Sequence, residues 1–155
     1  MGRVESLRQK ALELLGKLHA VAPLLGRLAV GLVFMSTGWG KVHNLEKVTG
    51  FFTTLGIPAP HFHAVLVGYS ELLCGTALVV GLLTRLATIP LIVSMIVAIL
   101  TAKRPDLHGL FDLVGFDEFT YLVVLAMIAI LGPGPLALDA LLVRRLGWKT
   151  PEPER

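Results

Sequence analysis

The sequence predicts an all-α fold, an integral membrane four-helix bundle with an N-terminal amphipathic interfacial helix. Three observations lead there. Of the 155 residues 54% are hydrophobic and only 16% charged, and the mean hydropathy is +0.74, which excludes a soluble monomer. The charges are also segregated. Four apolar stretches, 23–40, 62–83, 86–101 and 119–131, hold just two of the 25 Lys, Arg, Asp and Glu residues, namely Arg27 and Glu71. A bilayer demands this, because one charge at the centre of a spanning helix costs roughly 2.5–3.5 kcal/mol. Third, the small and charged residues within these stretches recur at helical spacing, as described below.

Before the first span, Val4, Leu7, Ala11, Leu14, Leu18 and Val21 recur every three or four residues with Arg8, Lys10, Glu13 and Lys17 between them. That pattern predicts an amphipathic helix over 1–21 that anchors at the membrane interface. The first span starts near Ala20 or Pro23 and runs to Gly40. Its flank is basic, but no small-residue cleavage site follows it, so it is not expected to be removed as a signal peptide. The second span is Phe62–Leu83. The third, Leu86–Thr101, follows after only Thr84 and Arg85, which makes spans two and three a tight antiparallel hairpin ended by Lys103-Arg104-Pro105. The fourth, Phe119–Leu131, is short unless it starts near Leu110 or Glu118, and Gly132-Pro133-Gly134-Pro135 breaks it. Leu136–Val143 reads as a second interfacial helix and 144–155 as a cytoplasmic tail with a disordered end. The domain boundaries are therefore 1–21, 22–143 and 144–155, and no internal repeat is visible.

Counting Lys and Arg orients the chain. Nine flank one side (Arg3, Arg8, Lys10, Lys17, Arg85, Arg144, Arg145, Lys149 and Arg155) and four the other (Lys41, Lys47, Lys103 and Arg104). By the positive-inside rule both termini are cytoplasmic and the 41–61 and 102–118 loops face outward. Although the net charge is +3, the basic residues form no face interleaved with aromatics, so no nucleic-acid role is expected. Cys74 is the one cysteine, which excludes an intramolecular disulfide and a CxxC redox pair.

Residues repeating at 4-3-4-3 share one helical stripe. Span one gives Arg27, Gly31, Phe34, Gly38 and Lys41; span two gives Gly68, Glu71, Gly75, Leu78, Leu82 and Arg85; span three gives Ala87, Leu91, Ser94, Ala98 and Thr101; span four gives Glu118, Leu122, Leu125, Ala129 and Gly132. In lipid, helices pair where small residues let backbones approach, so these stripes are expected to face one another. Glu71 lies about 13 Å into its span, near the midplane, and the first expectation is an interior ion pair between Arg27 and Glu71, against snorkelling of Arg27 to the interface or a protonated Glu71. Lys41 closes the seam of span one and Glu118 opens that of span four, where the two can pair. Arg85 reads as a topology and lipid-headgroup anchor, and Cys74 as a packing residue. His43, His61, His63 and His108 share the outer loops, but without helical i,i+4 spacing or accompanying cysteines they do not read as a metal site. No autonomous enzyme active site is visible.

These residues, taken together, resemble the DoxX family of small bacterial membrane proteins. The resemblance rests on Arg27…Gly38-x-x-Lys41, Phe51-Phe52-Thr53-Thr54-Leu55-Gly56-Ile57-Pro58-Ala59-Pro60, Glu71-Leu72-Leu73-Cys74-Gly75, Gly81-Leu82-Leu83-Thr84-Arg85-Leu86-Ala87, Glu118, and Gly132-Pro133-Gly134 with Asp139. It covers about residues 22–143. It implies a four-helix protein of the bacterial cytoplasmic (inner) membrane with a link to redox chemistry, since the DoxX and DoxD group includes a subunit of a thiosulfate:quinone oxidoreductase and relatives assemble with superoxide- and thiol-detoxifying proteins. The family's recurring polar residues map onto Arg27, Lys41, Glu71, Arg85 and Glu118, with Gly38, Gly56, Pro58, Gly75 and Gly132 as backbone or packing positions. Asp112 and Asp117 near Glu118 are this chain's own addition.

Two classes of function follow. In the first, the protein is a membrane subunit or scaffold of a redox system whose Arg27–Glu71 region, with Cys74 nearby, binds a quinone head or another polar-headed molecule. No electron carrier is visible in the sequence, so a partner protein or soluble donor is implied. In the second, the charged seam is a pathway for a small molecule, lipid or proton; a ligand-free scaffold is the plainer variant. Membrane lipid and a homo-oligomer are the other partners expected.

Overall fold

Apolar sequence without strand alternation, punctuated by glycine and proline, folds into helices throughout the described residues, 2–146, of the computed structural model. In chain order these are α1 (Gly2–His43), α2 (Leu45–Thr54), α3 (Pro60–Val80), α4 (Thr84–Thr101), a 3-10 turn (Arg104–Asp106), α5 (Leu110–Gly115), α6 (Asp117–Leu131) and α7 (Leu138–Leu146). Three helical segments are long and apolar enough to cross a bilayer: Val21–His43 within α1, all of α3, and all of α4. The fourth expected span is α6, whose 15 residues reach about 22 Å, short of a hydrocarbon core of about 30 Å. It packs against α4 and α1.

The amphipathic stretch over 1–21 is not a separate element. It is the first half of α1, which continues through Pro23 without a break. An interior proline removes a helical hydrogen bond, but Pro23 is packed against Gly134 in the loop after α6: a Cβ there would stand 2.8 Å from the proline ring. Which faces most of the 2–20 side chains present, and the 147–155 part of the expected tail, lie outside the described residues. The 41–61 segment, expected as a loop, holds a ten-residue helix, α2. Its signal was present in Val48, Phe51, Phe52 and Leu55, at spacings of three or four.

The most extensive packing is between α1 and α3, and glycine permits it. At Gly38 a side chain would overlap the backbone of Glu71 and Leu72, and at Gly75 that of Phe34 and Met35. Lipid supplies no hydrophobic force between helices, so such close backbone contact carries the association. Next to this contact, Val30 and Phe34 join Leu78, Ala87, Leu91, Met95, Leu125 and Ile128 in one buried core, with Tyr121 meeting Phe34 edge-on at 6.0 Å between ring centroids. The second stripe ends early. Leu78 is buried but Leu82 is exposed, because α3 stops at Val80 and Gly81 turns the chain in the left-handed conformation (φ 77°).

Gly38→Ala should lower the thermal midpoint of the detergent-solubilised protein by the equivalent of roughly 1–3 kcal/mol, the usual cost of overpacking. Gly40→Ala, with open space around its Cβ, should leave it unchanged. Equal midpoints for the two variants would refute the close-contact account.

Candidate functional site

Glu71 occupies the middle of α3 and is 1% exposed. An ionised carboxylate there must be fully hydrogen-bonded, and two neighbouring helices, α1 and α4, supply the donors. Lys41 Nζ lies 2.5 Å from both carboxylate oxygens. Thr37 Oγ1 donates to Oε2 at 3.1 Å, and Ser94 Oγ on α4 donates to Oε1 at 3.2 Å. Thr37 and Lys41 stand one turn apart on α1, on the same face. Gly38 between them brings α3 against α1 at Leu72, and Gly68 rests on Lys41 and Val42, so the lysine side chain runs back along α3 to the carboxylate.

This geometry overturns two expected pairs. Arg27 does not meet Glu71: the α1–α3 contact sets Gly38 opposite Leu72, which leaves Arg27 about 16 Å further along α1, beyond an arginine's reach. Lys41 does not meet Glu118 either, because its ammonium is drawn inward to Glu71. Glu118 pairs instead with Lys103 at 3.7 Å, and Lys103 also lies 5.5 Å above the centre of the Phe116 ring.

Arg27, fully buried, belongs to a second polar cluster at the other end of the helices. Its Nη2 donates to the Leu136 carbonyl at 3.1 Å, while Nε and Nη1 have no partner among the described residues. Asp139 is the negative charge acting on it. The Asp139 carboxylate accepts hydrogen bonds from the Leu83 and Thr84 amides (2.8 and 2.9 Å) and its own amide donates to the Gly81 carbonyl (2.9 Å). It thereby caps α4 from a distance in sequence, where Leu83 is left-handed (φ 48°) and offers no side-chain cap. Arg85 is exposed; it donates to the Ile130 carbonyl at 3.4 Å and stands beside Gly132. Cys74 is half-buried against the core. Of the histidines expected in outer loops, His43 ends α1, His61 and His63 lie in the first turn of α3, and only His108 is in a loop; with the acidic residues and Cys74 they form no cluster of three able to hold a metal among the described residues.

The Glu71 cluster faces a half-open cavity of about 1170 Å³. Its walls are largely apolar: Phe34, Met95 and Tyr121 come from α1, α4 and α6, and Phe51 and Phe52 from α2 with Leu55 just after it. Lys47, His63, Lys103, Asp106, Asp117 and Glu118 lie around its polar end. Lys41, Glu71 and Glu118 are expected site residues from the sequence; Thr37 is not, and Phe51 and Phe52 enter there only as part of the motif that carries the family resemblance. Thr37 was legible as the residue one turn before Lys41 on the same face.

The sequence model of the DoxX family matches residues 22–104, the stretch that carries Lys41, Glu71 and Ser94. The chain belongs to the DoxX family. This DoxX chain is 37% identical over 142 residues to "Uncharacterized membrane protein Rv3486" of Mycobacterium tuberculosis, covering 83% of this chain and 87% of that one. It is 32% identical over 127 residues to "Putative oxidoreductase CatD" of Bacillus subtilis (81% and 90%), and 27% identical over 131 residues to "Inner membrane protein YphA" of Escherichia coli (80% and 92%). No solved structure matches it.

Chemically, Glu71 has two donors on each oxygen and little capacity left. Lys41 has three N–H groups, of which two suffice for the carboxylate, and its side chain is 29% exposed into the cavity it lines. The cluster therefore presents a firmly held, charge-balanced hydrogen-bond donor. Lys41→Met should destabilise the DoxX protein by roughly 3–5 kcal/mol by stranding a buried carboxylate, and adding Glu71→Met should recover most of the loss. Thermal unfolding of the two single variants and the double variant checks this; additive losses would refute the pairing.

Proposed function

We propose that this DoxX protein is the integral membrane subunit of a redox system and that its cavity binds a quinone head, or a similar carbonyl-headed molecule, at Lys41. The observation that carries the reading is the Lys41 ammonium, fixed by a buried and fully occupied carboxylate, on the inner wall of a large apolar cavity. Quinone carbonyls accept hydrogen bonds, and the flat ring suits walls containing Phe34, Phe51, Phe52 and Tyr121. A bound quinone supplies two-electron, two-proton chemistry. The chain's own residues act around it: Lys41 donates to a carbonyl oxygen, Glu71 holds Lys41 in place, Thr37 and Ser94 hold Glu71, and the apolar walls limit water. Electrons come from a partner protein or a soluble donor.

In this reading α6 serves as the fourth span of the bundle, the 1–21 half of α1 continues along the interface, both termini are cytoplasmic, and the polar end of the cavity faces outward. The excess of Lys and Arg on the terminal side supports that orientation. The name of the Bacillus subtilis relative supports a redox role. The site moves from the Arg27–Glu71 region expected from sequence to Lys41–Glu71. A carrier in which Glu71 exchanges protons is less favoured, because three donors would have to release it on every cycle.

Native mass spectrometry and quinone extraction on protein purified in mild detergent test the proposal. Wild type should carry one quinone per chain, and Lys41→Gln, folded by circular dichroism, should lose at least ten-fold in occupancy. Wild-type protein that stays empty when titrated with quinone would overturn it.

A further inference from the structure

The cavity has two kinds of border. At its polar end stand Lys47, His63, Lys103, Asp106 and Asp117. Between α3 and α4, however, it is bordered by Leu66, Val93 and Val97, which are 52%, 53% and 44% exposed and belong to two helices that are long and apolar enough to span the bilayer. Side chains that border a cavity and are also half open to the outside mark a mouth. This one is entirely aliphatic and sits where the outside is lipid.

The hairpin explains why a mouth forms there. Gly81, Leu83 and Asp139 pin α3 and α4 together at their turn, and Leu78, Ala87 and Leu91 fill the space next to it. The Ser94–Glu71 hydrogen bond ties the helices once more. Past Pro90 the facing residues Ser70, Val67, Val97 and Ala98 line the cavity instead of closing on one another. The cavity volume of about 1170 Å³ also exceeds the roughly 300–1,000 Å³ typical of a small-molecule pocket, so a quinone head at Lys41 leaves room for the start of a tail.

We infer that the gap between α3 and α4, framed by Leu66, Val93 and Val97, is a lateral window through which a membrane-resident ligand reaches Lys41 and through which its alkyl or prenyl tail stays in the lipid. This rests on the proposed quinone reading and narrows it to tailed, lipid-soluble quinones. A head of this kind partitions into the bilayer and needs no aqueous route, and the aliphatic frame costs its tail no desolvation.

The test compares a decyl-tailed benzoquinone with the same ring lacking the tail, binding to full-length protein in lipid nanodiscs. Wild type should bind the tailed compound at least ten-fold more tightly. The double variant Val93→Trp, Val97→Trp should lose at least ten-fold for the tailed compound and change less than about two-fold for the tail-less one. Ile96→Trp, on α4 but away from the cavity, should change neither. Equal affinity of wild type for the two compounds, or equal losses for both in the double variant, would overturn the window while leaving the Lys41 site standing. Binding of neither compound by wild type would remove the site itself and the window with it. Should the tryptophan variants fail to fold, Val97→Cys in a Cys74→Ala background keeps the test. A lipid-soluble maleimide should label it, and the tailed quinone should slow labelling at least five-fold; unchanged labelling would overturn the window.

Discussion

A carboxylate in the middle of a membrane-spanning helix sets the terms for the rest of the structure. Taking such an ion out of water costs several kcal/mol even after relaxation, so the fold must deliver donors to it. Glu71 obtains them from α1 and α4, which ties three helices at one point. Lys41 comes from the last turn of α1 and could not reach without a close α1–α3 approach, while Ser94 reaches from mid-α4 across the α3–α4 hairpin. The glycines are thus part of the electrostatics. Gly38 and Gly75 let the backbones touch, and the ion pair forms because they do.

The second polar cluster is built on different terms. Arg27 is buried as deeply as Glu71, yet it donates one hydrogen bond, to a backbone carbonyl, and two of its nitrogens have no partner among the described residues. Its neighbour Asp139 spends its carboxylate on the α4 amides. The outcome is a clasp: the loop after α6 and the start of α7 are fastened across the α3–α4 turn and against Pro23 of α1. This closes one end of the helices, and it packs the loop after α6 against α1 where the helix continues through its proline.

Much of the fold was legible because membrane helices obey few rules. Apolar length gave the spans of α1, α3 and α4 within a few residues, and the 4-3-4-3 rhythm picked out Gly31, Phe34, Gly38, Gly68, Gly75 and Leu78, all of them buried or in interhelical contact. Partner choice was not legible. Arg27 and Lys41 lie on the same stripe, and which of them meets Glu71 depends on the relative sliding of α1 and α3, which rhythm alone does not encode. The Gly38–Leu72 contact fixes it. α2 was missed because its polar residues and its place after Lys41 read as loop, although its apolar face is what roofs the cavity.

The position of the cavity follows from the same asymmetry. A hairpin with three residues between its helices cannot separate them at the turn, and the Asp139 clasp forbids it further. Any divergence of α3 and α4 therefore accumulates at the opposite end, beyond the one cross-link that Ser94 and Glu71 provide. There the described helices include no further long one to fill the gap, since α6 is only 15 residues and α2 is a short cover. An open, apolar volume lies there, and the polar feature held deepest in its wall is the ion pair that ties the helices together. The interaction that stabilises the interior and the donor offered to a ligand are the same pair of residues, so binding strength at Lys41 and stability of the helix assembly are bound to change together when either residue is altered.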